Sequence, residues 1–159
     1  MDDQKEILVM GIGNILFKDE GIGIRIAEKL MDMALPSDVE VLDGGILVTG
    51  FYPLMAGRKK VVILTAMKAG SAPGTIYRLV DDDIPGKRKG YFRTIQEMEF
   101  TNDLQDARLA GTKPGEIVFI GVEPADLGED GEQVEMRLSP VIEKKIPEII
   151  EAVIREIKG

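Results

Sequence analysis

A chain of 159 residues, 44% hydrophobic and 30% charged, has material for one buried core and too much of it for a disordered polymer; it reads as a single domain over 1–159. Twenty basic against 28 acidic residues leave a net charge of −8, which argues against a nucleic-acid partner, since such affinity is built on clustered Lys and Arg and Lys87-Arg88-Lys89 is too short a cluster. Cysteine and histidine are both absent, so disulfides, zinc ribbons, thiolate nucleophiles and Ser-His-Asp or Cys-His machinery are excluded from this chain alone, and chemistry falls to carboxylates, hydroxyls, amides or Lys. The acidic, polar start is unlike an export signal, and no apolar run reaches the roughly 18 residues of a membrane-spanning helix, so a cytoplasmic protein is expected.

Ile7-Leu8-Val9-Met10 is a continuous apolar run closed by Gly11, the pattern of a strand buried on both faces. After a loop over 11–19, Ile22, Ile26, Leu30 and Met33 recur at three- and four-residue spacing and predict a helix over 20–33. A short strand over 39–42 ends at Asp43-Gly44-Gly45, which is turn chemistry. A brief helical stretch is expected within 47–55, where Pro53 allows only a turn or two. Val61-Val62-Ile63-Leu64 is the plainest buried strand, preceded by the polar Arg58-Lys59-Lys60 and followed by Thr65.

The loop Ala69-Gly70-Ser71-Ala72-Pro73-Gly74 leads into an alternating segment over 75–80, a candidate edge strand with one wetter face. Asp81-Asp82-Asp83 and 85–90 read as loop, and a helix is expected over 97–109 with Met98, Leu104 and Ala107 facing inward. A buried strand over 117–122 is followed by an acidic, glycine-containing loop over 124–135. The last helix has clear punctuation: Ser139 as N-cap and Pro140 at its first position, then Ile142, Ile146, Ile149, Ile150, Val153 and Ile157 on one face. Pro147 removes the hydrogen bond to the Glu143 carbonyl and predicts a kink there. Strands alternating with helices imply a mostly parallel sheet with helices on both faces, and ligands in such sheets gather at the carboxyl ends of the strands.

Gly11-Ile12-Gly13 follows the first strand, but the third glycine of a dinucleotide fingerprint would fall on Leu16, and no phosphate-loop pattern exists; a tight turn that needs glycine is the simpler reading. Asp19 and Glu20 stand where the first helix begins, either as partners of its dipole or as functional acids. Asp43 is either an Asx-type turn residue or an acid at a strand end. The ends of the first three strands would bring Glu20, Asp43 and Thr65 to one rim, an all-oxygen set suited to a hard cation or to acid–base chemistry. Met55, Met67 and Met98 are core filler or the lining of a peptide groove.

Four segments together resemble the hydrogenase maturation proteases over nearly the whole chain: Gly11-Ile12-Gly13-Asn14-Ile15-Leu16-Phe17-Lys18-Asp19-Glu20-Gly21-Ile22-Gly23, then Leu42-Asp43-Gly44-Gly45, then Ala72-Pro73-Gly74-Thr75, and finally Leu138-Ser139-Pro140. The resemblance implies an α/β three-layer sandwich around a five-stranded sheet. It also implies an endopeptidase that removes a short C-terminal extension from the large subunit of a nickel-iron hydrogenase after nickel has entered that subunit. The family's metal site is a Glu, an Asp and a His, and these fall on Glu20, Thr65 and Gln96 respectively. A hydroxyl and an amide in place of carboxylate and imidazole remove one negative charge and the best nitrogen donor, so weak or absent binding of a borderline metal is expected. By the same resemblance the loops around Glu20, Asp43, Thr65 and Gln96 dock the substrate's C-terminal segment. Glu20 would orient the metal centre or polarise a water, and Asp43 would assist as acid or base or fix the loop. The alternative is a binding module that has lost proteolysis and keeps recognition of a hydrogenase subunit.

Overall fold

The computed structural model of the chain describes residues 4–45, 51–80, 106, 108–128 and 135–159. Five strands form one sheet: β1 (Ile7–Ile12), β2 (Val39–Gly45), β3 (Lys60–Ala66), β4 (Ile76–Val80) and β5 (Glu116–Val122), in the spatial order β2-β1-β3-β5-β4. The first four in that order are parallel, and β4 closes one edge antiparallel to β5. Beside the sheet run the helices α1 (Ile22–Met31), α2 (Phe51–Met55) and α3 (Pro140–Lys158).

The two faces follow from the alternation of side chains along each strand. Val9, Val62, Leu64, Val118 and Ile120 point to one face, where Ile22, Ile26 and Leu30 of α1 and Ile142, Ile149 and Val153 of α3 cover them. Leu8, Met10, Ile12, Val61, Ile63, Ile117 and Phe119 point to the other, where Leu54 and Met55 of α2 pack. Chain direction explains the split. The β1-α1-β2 crossover steps one way across the sheet and β2-α2-β3 steps back past β1, so right-handed connections lay their helices on opposite faces. The α/β sandwich expected from the sequence is therefore present, with β4 as the edge.

Differences lie at the element ends, and each has a local cause. The first strand continues through Gly11 to Ile12, because a glycine there lets α1 lie close: a Cβ built on Gly11 would sit 2.2 Å from the Gly23 carbonyl oxygen, and one on Gly23 would sit 2.1 Å from that of Leu64. The first helix begins two residues late, after a 3-10 turn over Lys18–Gly21, and stops at Met31, which leaves Met33 exposed rather than inward. The second strand runs on through Asp43 to Gly45 beside Gly11 and Ile12, with an irregular register at that point. The third takes in Lys60 at its start and Thr65 near its end, both buried.

Met55 and Met67 are core residues, Met67 lying over Gly121, where a Cβ would be 2.7 Å from its own. The last helix is continuous through Pro147, and of its predicted inward residues Ile150 alone is only half-buried. Of the helix expected over 97–109, residues 106 and 108–109 are helical; Gln96, Met98, Leu104 and Ala107 lie outside the described residues, as do 81–90. Among the described residues no helix is long and apolar enough to cross a membrane.

Candidate functional site

Strand order places the site. The chain leaves β1 toward β2 on one side and leaves β3 toward β4 and β5 on the other, so the crevice outside the carboxyl ends of β1 and β3 is the topological switch point, where open α/β sheets bind their ligands. The loop after β1 carries Glu20, and β3 ends with Thr65 and Ala66, so two of the sequence-derived candidates flank this crevice. Asp43 stands across β1 from them: Gly11 is in register with both Asp43 and Leu64, which sets Asp43 about two strand spacings, roughly 10 Å, from the end of β3.

Glu20 is half-buried and its backbone is pinned on both sides. Its N–H donates to the Phe17 carbonyl at 3.0 Å, and its own carbonyl accepts from Asn14 at 3.3 Å. Gly13, at φ +141°, makes this possible, since a Cβ there would lie 2.1 Å from the Glu20 carbonyl oxygen. The glycines after β1 thus serve close backbone approach, as the turn reading expected. Thr65 is buried and donates its hydroxyl to the Ala66 carbonyl at 3.2 Å. Asp43 is exposed, and its Oδ1 accepts from the Gly45 N–H at 2.8 Å, an Asx turn that holds Gly45 at φ +57°. The structure supports the turn role of Asp43. Gln96 is outside the described residues.

The residue that sequence reasoning undervalued is Asp19. It is 0% exposed, and its carboxylate accepts four hydrogen bonds from three residues distant in sequence. Oδ2 takes the N–H groups of Ala125 and Asp126, both at 2.9 Å, and the Ser139 hydroxyl at 2.8 Å, while Oδ1 takes the Ser139 N–H at 2.7 Å. Ser139 is correctly the N-cap of α3, but its hydroxyl donates to Asp19 instead of accepting from the helix. The adjacent Lys18 is held at φ +47°, a left-handed conformation costly for a side chain. Its N–H bonds the Glu135 carbonyl at 2.8 Å and its ammonium meets Asp126 at 2.6 Å and Glu135 at 3.3 Å. Those carboxylates raise the Lys18 pKa, and the Lys18 hydrogen bond holds Asp126 below the usual carboxylate range. A buried Asp directly before Glu20 fixes where Glu20 begins. The one signal in the sequence was its neighbourhood, since nothing local to residue 19 calls for a carboxylate.

A second buried carboxylate, Glu123, follows β5 and accepts from the amides of Ala69 and Ser71 at 2.8 and 3.1 Å and from the Tyr77 hydroxyl at 2.6 Å. Burial alone would raise its pKa, but Tyr77 and the loop amides outweigh this and hold it below the ordinary value. The same contact joins burial in pushing the Tyr77 phenol up. Among the described residues no group of three acidic, His or Cys side chains is gathered that could hold a metal ion.

A profile described as hydrogenase maturation protease (HycI) matches residues 24–156. The hydrogenase 2 maturation protease of Escherichia coli K12 is 33% identical over 154 residues, which are 96% of this chain and 90% of that protein. The hydrogenase expression/formation protein HupD of Rhodobacter capsulatus is 30% identical over 156 residues, 98% of this chain and 72% of the relative. The solved structure of the hydrogenase maturating endopeptidase HybD from E. coli superposes with a TM-score of 0.83 at 32% identity, covering 96% of this chain and 92% of that one. With the sheet order, the glycine-hinged Glu20 loop and these likenesses over nearly all its length, the chain belongs to the hydrogenase maturation protease family.

Proposed function

We propose that this chain, acting as one domain over 1–159 in the cytoplasm, hydrolyses a peptide bond near the C-terminus of the large subunit of a nickel-iron hydrogenase and releases its C-terminal extension once nickel is in place. The observation that carries the reading is a half-buried carboxylate, Glu20, at the switch point of a sheet whose chain belongs to a protease family. With no cysteine and no histidine in the chain, the base available at this rim is a carboxylate and the nucleophile is water. Glu20 takes a proton from water as its oxygen adds to the scissile carbonyl carbon, and the proton passes to the departing amine as the C–N bond breaks. Asp43 fixes the end of β2 through its turn bond to Gly45.

Nickel enters as part of the substrate. Glu20, Thr65 and Gln96 offer one carboxylate, one hydroxyl and one primary amide, and the Thr65 hydroxyl is turned as a donor toward the Ala66 carbonyl. That set does not fit a tight site for a borderline metal, which favours imidazole or thiolate, and no step here runs through the ion. The test is incubation of the purified chain with its unprocessed, nickel-loaded large subunit. A shortened subunit is expected, and Glu20→Gln should slow its appearance at least about a hundredfold, the usual weight of a positioned base. Cleavage unaffected by that change would remove Glu20 from the reaction; a partner captured at unchanged length would favour the binding module.

A further inference from the structure

The loop after β3, residues 67–75, has its residues 68–73 exposed and is made largely of small side chains, with Gly70 at φ +93°. Such a loop is ordinarily loose, yet its backbone is stapled from within onto residues 122 and 123. Met67 donates to the Val122 carbonyl at 2.9 Å and Gly74 to the Glu123 carbonyl at 2.8 Å, while the Glu123 N–H donates to Thr75 at 2.9 Å. The middle of the loop depends on the Glu123 side chain, 3% exposed, whose Oε1 receives Ala69, Ser71 and the Tyr77 hydroxyl. Past Pro124 the same strand of chain gives the Ala125 and Asp126 amides to Asp19. Residues 123–126 therefore tie together the two loops that border the crevice, one carrying Glu20 and one continuing from Thr65.

We propose that Glu123 is a positioning residue for the reaction: it holds the loop over 68–73 as a fixed shelf on which the extended C-terminal segment of the substrate lies beside Glu20. This rests on the peptidase reading above. Residues 68–73 are exposed and so face a second chain from the outer side of the shelf, and fixing the loop at folding means its ordering is not charged again when substrate binds.

The test compares Glu123→Ala, Glu123→Asp and Glu123→Gln, each with the unprocessed large subunit, well below melting. Alanine removes the acceptor and aspartate withdraws it by one methylene while keeping the charge; both should raise KM about tenfold with kcat within about threefold. Glutamine keeps an Oε1 for the same donors and should stay within about threefold of the parent in KM. Should the alanine variant fail to fold, the aspartate variant carries the comparison. Hydrogen exchange at the Ala69 and Ser71 amides should quicken in the alanine and aspartate variants with β4 unchanged. A parent protein that binds the subunit but never trims it would sink the peptidase reading; the shelf would then be judged by the dissociation constant, expected to weaken by the same factor. Loosened amides with unchanged KM and unchanged affinity, or unchanged amides, would overturn the proposal.

Discussion

The two ends of the sheet handle buried charge in opposite ways. At the amino-terminal end, charge meets charge. The Lys60 ammonium reaches the Glu156 carboxylate and carbonyl, each at 2.8 Å, and Glu116 at 3.8 Å; Arg78 shares Glu156; and Arg58 pairs with Glu40 at 2.8 Å while donating to the carbonyls of Leu54 and Lys5. At the carboxyl-terminal end, Asp19 and Glu123 are met by backbone N–H groups and hydroxyls. An ion pair joins two flexible side chains and says little about the path of the backbone. A carboxylate that collects amides from several segments dictates where those segments run. The end that carries the candidate site is the one built in the second way.

Substitutions at the two ends should therefore separate stability from activity. The largest effect is expected from Asp19→Ala, which leaves three amides and a hydroxyl without their acceptor; at about 1 kcal/mol or more for each, unfolding by urea should show a loss of about 4 kcal/mol, and trimming of the large subunit should disappear. Lys60→Ala leaves the Glu156 carboxylate with Arg78 as its cationic partner among the described residues and should cost about 3 kcal/mol in the same measurement, yet leave the trimming rate of the folded fraction unchanged. Ser139→Ala removes one of the four bonds to Asp19 and should cost about 1 kcal/mol, with a measurable fall in rate. If Lys60→Ala slowed trimming as much as Ser139→Ala, the two ends would not be independent.

The smallest effect is on acid stability. Burial would raise the Glu156 carboxyl, but Arg78 and Lys60 outweigh burial and hold it below its ordinary value of 4.5. A carboxyl depressed in the folded state stabilises above the unfolded value and loses that contribution as pH falls through the folded one. Melting temperature should thus decline below about pH 4.5, and Glu156→Gln should flatten that decline.

The fold was legible because its signals are local. Runs such as Val61-Val62-Ile63-Leu64, the wet alternation before Val80, and Ser139-Pro140 ahead of a periodic isoleucine face each announce an element without reference to the rest of the chain. The switch point follows from strand order, and family resemblance supplied Glu20. What stayed hidden depends on partners far along the chain. Asp19 finds its donors more than 100 residues away, and Lys60 and Arg58 read as a polar flank because their counter-charges, Glu156 and Glu40, are remote in sequence. Side-chain type alone gave no means to tell a solvated acid from one enclosed by amides. Element boundaries missed for a related reason: Gly11 and Gly23 look like breakers in one dimension and are contact points in three.

The bond from Ser139 to Asp19 also sets an order of events during synthesis. Until Ser139 has joined the fold, Asp19 has the Ala125 and Asp126 amides but lacks two of its four donors, and the corner that carries Glu20 is not yet tied to α3. The Asp19 corner is therefore completed only when the segment from Ser139 onward has docked, late in the order in which the chain is made.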